Sequence, residues 1–334
     1  MTHKLIIIGS GPAGYTAALY AGRAELKPVI FTGESSGGQL MNTTVVENWP
    51  GADEGVMGPD LMIKMRGQAK KFGAEIIDKT VTKVELTEKI KKIWVGNPAV
   101  AGQGVYEAEA VIIATGAEPI MLGVPGEKDL MGKGVAVCAV CDAPFYKDKT
   151  TMVIGGGDAA IEDAMALTKH ANKVYMVVRR DELRASKIMS KRAMSNSKIE
   201  ILWNTELKEV VGVNKVEKVV LHSQDKTGKE NQSLNDIHHS GIGGGRMITV
   251  KVDGVFMAIG HKPATKLFKD QVELDEKGYI KTTMVYPDVT QTNIEGVFAA
   301  GDVVDYRYQQ AVTAAGMGCQ AALDTEKWLE GKHA

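Results

Sequence analysis

The apolar run Leu5-Ile6-Ile7-Ile8 passes straight into Gly9-Ser10-Gly11-Pro12-Ala13-Gly14, and the run Thr151 to Ile154 passes into Gly155-Gly156-Gly157-Asp158-Ala159-Ala160. A strand closed by a glycine loop and followed by a helix opens a βαβ dinucleotide-binding unit. A chain that starts this unit twice is tightly constrained in what it can fold into. In the first loop, Gly9 permits the tight turn, Gly11 lets backbone amides approach a pyrophosphate, and Gly14 lets helix pack on strand. Pro12 and Ala13 then begin a helix whose unpaired N–H groups and partial positive charge favour a diphosphate. The second loop follows the same pattern with Ala160 in the third place. Either loop alone is also compatible with a glycine-rich turn that binds nothing; its position after an apolar strand favours the nucleotide.

The rest of the chain reads around these two starts. After the first loop come a helix over Tyr15 to Ala24 and a strand over Pro28 to Phe31, then a polar segment to Pro59. Asp60 to Phe72 reads as helix, Val81 to Val95 as paired strands, and Val111 to Gly116 as a buried strand ending in a turn. Pro119, Gly123, Pro125 and Gly126 mark a crossing between domains. The second helix is expected to run to about His170, followed by strands at Val174 to Val178, Glu200 to Trp203 and Val216 to His222. Ser223 to Gly245 is polar and glycine-rich and reads as a hairpin loop or mobile insertion. Val255 to Gly260 and Gly296 to Asp302 repeat the buried strand closed by glycine, and a last helix covers Gln310 to Leu329. At 334 residues there is room for two cores. The expected fold is α/β, with two Rossmann-like, three-layer ββα domains: an inner domain, 117–248, inserted into an outer one made of 1–116 and 249–334.

A formal net charge of -1 argues against a general nucleic-acid or acidic-membrane binder. The opening apolar run is too short for a signal peptide, and no run is long enough to span a bilayer, so a cytoplasmic protein is expected. There are three cysteines, Cys138, Cys141 and Cys319, too few for a secreted disulfide scaffold. Cys138-Ala139-Val140-Cys141-Asp142 lies between the two loops. It has three readings: half a zinc site, a buried structural thiol pair, or a redox pair. No second Cys-x-x-Cys or spaced histidine pair completes a zinc site, and His238-His239 read as solvated, so no metal is expected. Thiol–disulfide exchange needs two sulfurs close enough to cyclise, which this spacing supplies. Asp142 beside the second sulfur is a possible proton carrier. A nucleotide site on each side suggests a flavin that receives electrons and a nicotinamide that supplies them. Cys319, on an alanine-rich helix, reads as a small core residue.

The end of the second nucleotide strand indicates which nicotinamide. NAD binders usually carry Asp or Glu there for the ribose hydroxyl. Here Val178 is followed by Arg179 and Arg180, with Arg184 one turn on, and guanidinium groups suit a 2′-phosphate. NADPH is favoured; the alternative is an arginine pair on a solvated loop. At the other end, Asp302 after Gly301 is placed to bond a ribityl hydroxyl.

Taken together these residues resemble the low-molecular-weight thioredoxin reductases of bacteria, fungi and plants, over nearly the whole chain. The marks are Gly9 to Gly14, Gly37-Gly38-Gln39-Leu40, Glu47-Asn48-Trp49-Pro50-Gly51, Cys138 to Asp142, Arg179-Arg180-Asp181 with Arg184-Ala185, Gly301-Asp302 and Gln310-Ala311. The resemblance implies an FAD-containing, NADPH-dependent disulfide reductase acting on a separate thioredoxin. FAD would occupy the outer domain and NADPH the inner one, in a homodimer whose inner domain rotates between two states. It implies that Cys141 lies against the flavin, that Cys138 attacks the partner disulfide, and that Asp142 is the acid–base group. Gln39, Asn48, Asp302, Gln310 and Ala311 match flavin-holding positions, while Gln309 stands where the family often has Arg. Three further departures are Val178 in place of a common His, Ala159 in place of Ser or Thr, and Ala143-Pro144 where Gly is common. Ala159 gives up one neutral hydrogen bond to phosphate, worth about 1 kcal/mol, against ~1.5–3 kcal/mol for a contact to a charged group. A flavin dithiol oxidase, an enzyme fed by another donor such as reduced ferredoxin, and a non-enzymatic redox sensor are the competing readings.

Overall fold

Alternation along the first strand organises one half of the molecule. In Thr2–Ile8 successive side chains point to opposite faces, so Leu5 and Ile7 enter one apolar cluster while Ile6 and Ile8 enter another. All four are at most 4% exposed, as expected for a strand covered on both sides. The computed structural model describes residues 2–33, 35–43, 45–96, 104–224, 245–286 and 288–333. They form two compact units, Met1–Glu118 with His261–Ala334, and Pro119–Gly260.

The sheet of the first unit runs Glu75–Ile77, Val29–Phe31, Thr2–Ile8, Val105–Ile113, Lys91–Val95, Val81–Glu85. The first four of these strands are parallel, and the last two turn antiparallel. On the edge away from Thr2–Ile8, Val105–Ile113 serves two neighbours. Its first half pairs with Lys91–Val95, and its second half pairs in parallel with Val297–Ala299. Helices Pro12–Arg23, Gly58–Lys71 and Ala311–His333 cover the Leu5–Ile7 face. The antiparallel strands, together with Phe268, Val272 and Ile280, cover the other.

The second unit repeats the three layers. Its five-stranded parallel sheet runs Val135–Ala136, Gly254–Met257, Thr150–Ile154, Lys173–Val177, Ile199–Leu202. Met152 and Ile154 meet the antiparallel sheet Thr205–Val211, Lys218–Ser223, Arg246–Lys251. Val153 faces the helix Asp158–Thr168. Strand Gly254–Met257 pairs with Thr150–Ile154 and so packs within this unit, which runs on to Gly260 rather than stopping near residue 248. A short helix, Lys187–Met194, precedes the last strand of this sheet. Most of Ser223 to Gly245, including His238 and His239, lies outside the described residues.

Candidate active site

Gly9 has φ +108° and a Cβ there would run into the Ala114 carbonyl; a Cβ on Gly14 would strike the Gly9 carbonyl. Both glycines are required by the protein's own packing. At Gly11, by contrast, a Cβ would meet nothing within 4 Å, so open space lies in front of the loop. Gly11 caps the helix without a side-chain bond and Pro12 opens it, leaving the first N–H groups facing that space. Ser10 is turned inward, its hydroxyl donating to the Thr32 carbonyl at 3.0 Å and accepting from Gly37 N–H at 3.0 Å.

Residues distant in sequence gather around this loop. A Cβ on Gly38 would lie 3.2 Å from the Gly11 Cα, and one on Gly301 would lie 2.8 Å from the Ala13 Cβ. Gln39 donates to the Ala117 carbonyl at 3.4 Å. Asn48 donates to the Gln310 side-chain oxygen at 3.2 Å, and Ala311 begins the last helix. Gln309 holds a left-handed φ of 48° and donates to the Tyr279 hydroxyl at 3.4 Å. Asp302 is the most telling member. Its Oδ1 is buried with no hydrogen-bond partner, and burial, aided by Asp305, pushes its carboxyl up to about 7. A buried acceptor without a donor is costly unless a ligand hydroxyl completes it. A glycine cradle, exposed helix amides and an unsatisfied acid fit a flavin dinucleotide.

One network here had no signal in the sequence. Arg66 makes two bonds to Asp78, at 2.6 and 2.7 Å, and a third to the Ser36 hydroxyl at 2.7 Å. Ser36 in turn lies 2.7 Å from the Tyr15 hydroxyl. The guanidinium holds the Asp78 carboxyl below its ordinary value. This network braces the segment between the first glycine loop and Gln39.

In the second loop Gly155 has φ +147°, where a Cβ would run into the Ala258 carbonyl, while a Cβ on Gly157 would meet nothing within 4 Å. Gly156 sits over Val178, whose Cγ1 would be 3.0 Å from a Cβ there. The following loop is tied back onto this turn: Arg184 N–H donates to the Gly156 carbonyl at 2.8 Å. Ser186 donates to Asp158 from its backbone at 2.9 Å and from its hydroxyl at 3.0 Å. Asp158 therefore anchors the arginine loop. Ala159, Arg179, Arg180 and Arg184 are exposed. Three exposed arginines on the segment that follows the next strand, one of them tied by its backbone to an open glycine loop, fit the phosphates of NADPH.

Cys138 and Cys141 are joined as a disulfide, with Cα atoms 5.3 Å apart. Cys138 caps the short helix Ala139–Asp142, its sulfur accepting the Cys141 N–H at 3.2 Å. Ala139 and Ala143 anchor the turn in the apolar cluster of the Asp158–Thr168 helix, whereas Val140 is 60% exposed. Burial pushes the Asp142 carboxyl up to about 6. The Tyr146 hydroxyl is pushed up to about 12, by burial and then by Asp142 and Asp253. A disulfide with a half-buried acid beside it can accept two electrons and exchange the accompanying protons. Cys319 is a free, half-buried cysteine on the last helix.

Residues 3–318 match the pyridine nucleotide-disulphide oxidoreductase family. A thioredoxin reductase of Mycolicibacterium smegmatis is 48% identical over 98% of this chain and 96% of its own. One of Streptomyces coelicolor is 49% identical over 98% and 94%. The crystal structure of thioredoxin reductase from Streptococcus pyogenes superposes with a TM-score of 0.86 at 39% identity, covering 99% of both chains.

Proposed function

The chain belongs to the pyridine nucleotide-disulphide oxidoreductase family, and from that premise we propose that it reduces the disulfide of thioredoxin with electrons from NADPH, through FAD and the Cys138–Cys141 pair. The observation that carries this reading is the disulfide itself, set in a turn beside Asp142 and in the same unit as the second glycine loop and its arginines. Gly9 to Gly14, Gln39, Asn48, Gly301, Asp302 and Gln309 to Ala311 hold FAD in the outer unit. Gly155 to Ala159, Arg179, Arg180 and Arg184 hold NADPH in the inner one. When bound, NADPH supplies a hydride and FAD relays its two electrons to the disulfide.

The chain's own residues do the sulfur chemistry. Once the pair is open, the thiolate on Cys138 is the attacking species. The Cys141 N–H that meets the Cys138 sulfur at 3.2 Å steadies that negative charge. Attack on thioredoxin forms a mixed disulfide and expels one thioredoxin sulfur as thiolate, which takes a proton. Cys141 then attacks the Cys138 sulfur, releasing the second thiolate and closing the pair again. Asp142, with its carboxyl near 6, is mostly ionised at neutral pH, yet close enough to titration to take the Cys138 proton and return it to the leaving sulfur. Rotation of the inner unit, a homodimer and a cytoplasmic location are part of the proposal. Three cysteines, one pair of them redox-active, suit a reducing compartment. Among the described residues no helix is long and apolar enough to cross a membrane.

The test is NADPH-driven thioredoxin reduction by the wild type and by Cys138→Ser. The variant is expected to bleach its flavin with NADPH and to lose at least 1000-fold in thioredoxin turnover, since the oxygen nucleophile left in place cannot form the mixed disulfide. Turnover that persists would place the attacking sulfur elsewhere.

A further inference from the structure

The strand Val29–Phe31 ends beside the first glycine loop, where Gly9 N–H donates to the Phe31 carbonyl at 2.9 Å. Past that strand, residues 36–39 lie against the loop, and two hydrogen-bonded paths hold them there. The inner path is buried: the Ser10 hydroxyl donates to the Thr32 carbonyl and accepts from Gly37 N–H, both at 3.0 Å. The outer path starts at the Thr32 hydroxyl, which donates to Asp78 at 2.9 Å. Asp78 follows the strand Glu75–Ile77 and takes two bonds from Arg66 of the helix Gly58–Lys71. Arg66 then donates to the Ser36 hydroxyl at 2.7 Å, and Ser36 lies 2.7 Å from the Tyr15 hydroxyl. Tyr15 belongs to the helix Pro12–Arg23, which the glycine loop itself opens. Next in the chain, a Cβ on Gly38 would lie 3.2 Å from the Gly11 Cα.

We propose that Arg66 is a positioning residue for FAD: anchored on Asp78, it holds Ser36, and through Ser36 it keeps residues 37–39 in register with the cradle at Gly11. The inference rests on the reading that the first glycine loop holds FAD. The guanidinium suits this task because its planar fork spans both carboxylate oxygens and still has a donor for Ser36. An ammonium on a lysine stem cannot match that geometry. The side chains of Arg66 and Asp78 are 33% and 55% exposed, so the pair adds little to the stability of the fold. No member of the outer path beyond Thr32 and Tyr15 is buried in the core. Its effect therefore falls on the placement of residues 36–39, which meet the ligand side of the loop, rather than on the core beneath.

Three substitutions separate positioning from packing. Arg66→Ala removes the fork, Arg66→Lys keeps the charge without the fork, and Ser36→Ala leaves the Arg66–Asp78 pair intact but cuts the path beyond it. Each holoenzyme is dialysed to equilibrium against graded FAD, and the flavin retained per chain is read from its absorbance. Melting temperatures of the flavin-stripped proteins give the second readout. Arg66→Ala is expected to raise the FAD dissociation constant about tenfold and Ser36→Ala about threefold, with Arg66→Lys between Arg66→Ala and the wild type. Adding Ser36→Ala to Arg66→Ala should change the constant by less than about twofold, because both act through one path. The stripped proteins should melt within about 2 °C of the wild type. The inference is overturned if any of the three single variants holds FAD as the wild type does, or if melting temperature falls in step with affinity. Should Arg66→Ala not fold, Ser36→Ala decides it alone. A wild-type protein that retains no FAD would defeat the reading beneath it.

Discussion

The two glycine loops share a local fold and differ in what surrounds them. Around the first, segments near residues 10, 38, 48, 301 and 310 close in, and a carboxyl is buried there without a donor. Around the second, the charged groups are three exposed arginines on a loop held by Asp158 and Ser186. A site with an unsatisfied buried group favours a ligand that stays. An exposed site built on guanidinium charge favours one that binds, is screened by salt, and leaves. On the proposed reading, one fold pattern would serve both a retained cofactor and an exchanged one.

The largest test of that contrast is steric. Gly14→Ala drives a Cβ into the Gly9 carbonyl and should cost about 3 kcal/mol or more of stability, with loss of bound flavin. Gly157→Ala meets nothing within 4 Å and should leave the melting temperature unchanged while weakening NADPH. Thermal unfolding with flavin content as a second readout decides it; equal damage from both would break the comparison. Next comes Asp302→Ala, which removes a hydrogen bond involving a charged or strongly polar partner, about 1.5–3 kcal/mol. FAD affinity should fall roughly 10- to 150-fold while the NADPH dissociation constant holds steady, as equilibrium dialysis of the apoprotein can measure. Replacing Arg184 with Gln should raise the KM for NADPH about tenfold, by the same scale for one charged contact, and leave that for NADH within twofold. The salt dependence of the NADPH KM should weaken in the same variant. Equal effects on both nucleotides would remove the 2′-phosphate from this loop.

The smallest effect is in pH. Asp142, Asp163 and Asp302 all have carboxyls raised in the folded state, to about 6, about 7 and about 7. The folded apoprotein therefore binds more protons than the unfolded chain between about pH 4 and pH 7, so its stability should fall as pH rises through that window. Asp302→Asn should flatten this slope, and FAD should offset part of it. Urea midpoints of the apoprotein at pH 5 and pH 7 would show it, and a higher midpoint at pH 7 would contradict the assignment.

What the sequence made legible follows from range. Each glycine loop could be read because strand, turn and helix are contiguous, and the alternation of Leu5 to Ile8 announces a strand buried on two faces. Asp302 was visible for the same reason, following a buried strand and its terminal glycine. The Arg66–Asp78 network was not, because a helix and a strand must first be placed side by side before the charges meet. The extent of the inner unit to Gly260 depends on Gly254–Met257 pairing with a strand about a hundred residues earlier. A buried apolar run carries no mark of which sheet it will join.

The proposal is that the exposed arginine site supplies electrons to the site at the first glycine loop, and anaerobic stopped-flow mixing of the yellow holoenzyme with NADPH or NADH tests it most directly. The account predicts fast bleaching by micromolar NADPH, much slower bleaching by NADH, and return of the yellow colour on adding oxidised thioredoxin. Flavin that stays oxidised with NADPH would contradict it, and would move the dithiol oxidase or another electron donor to the front.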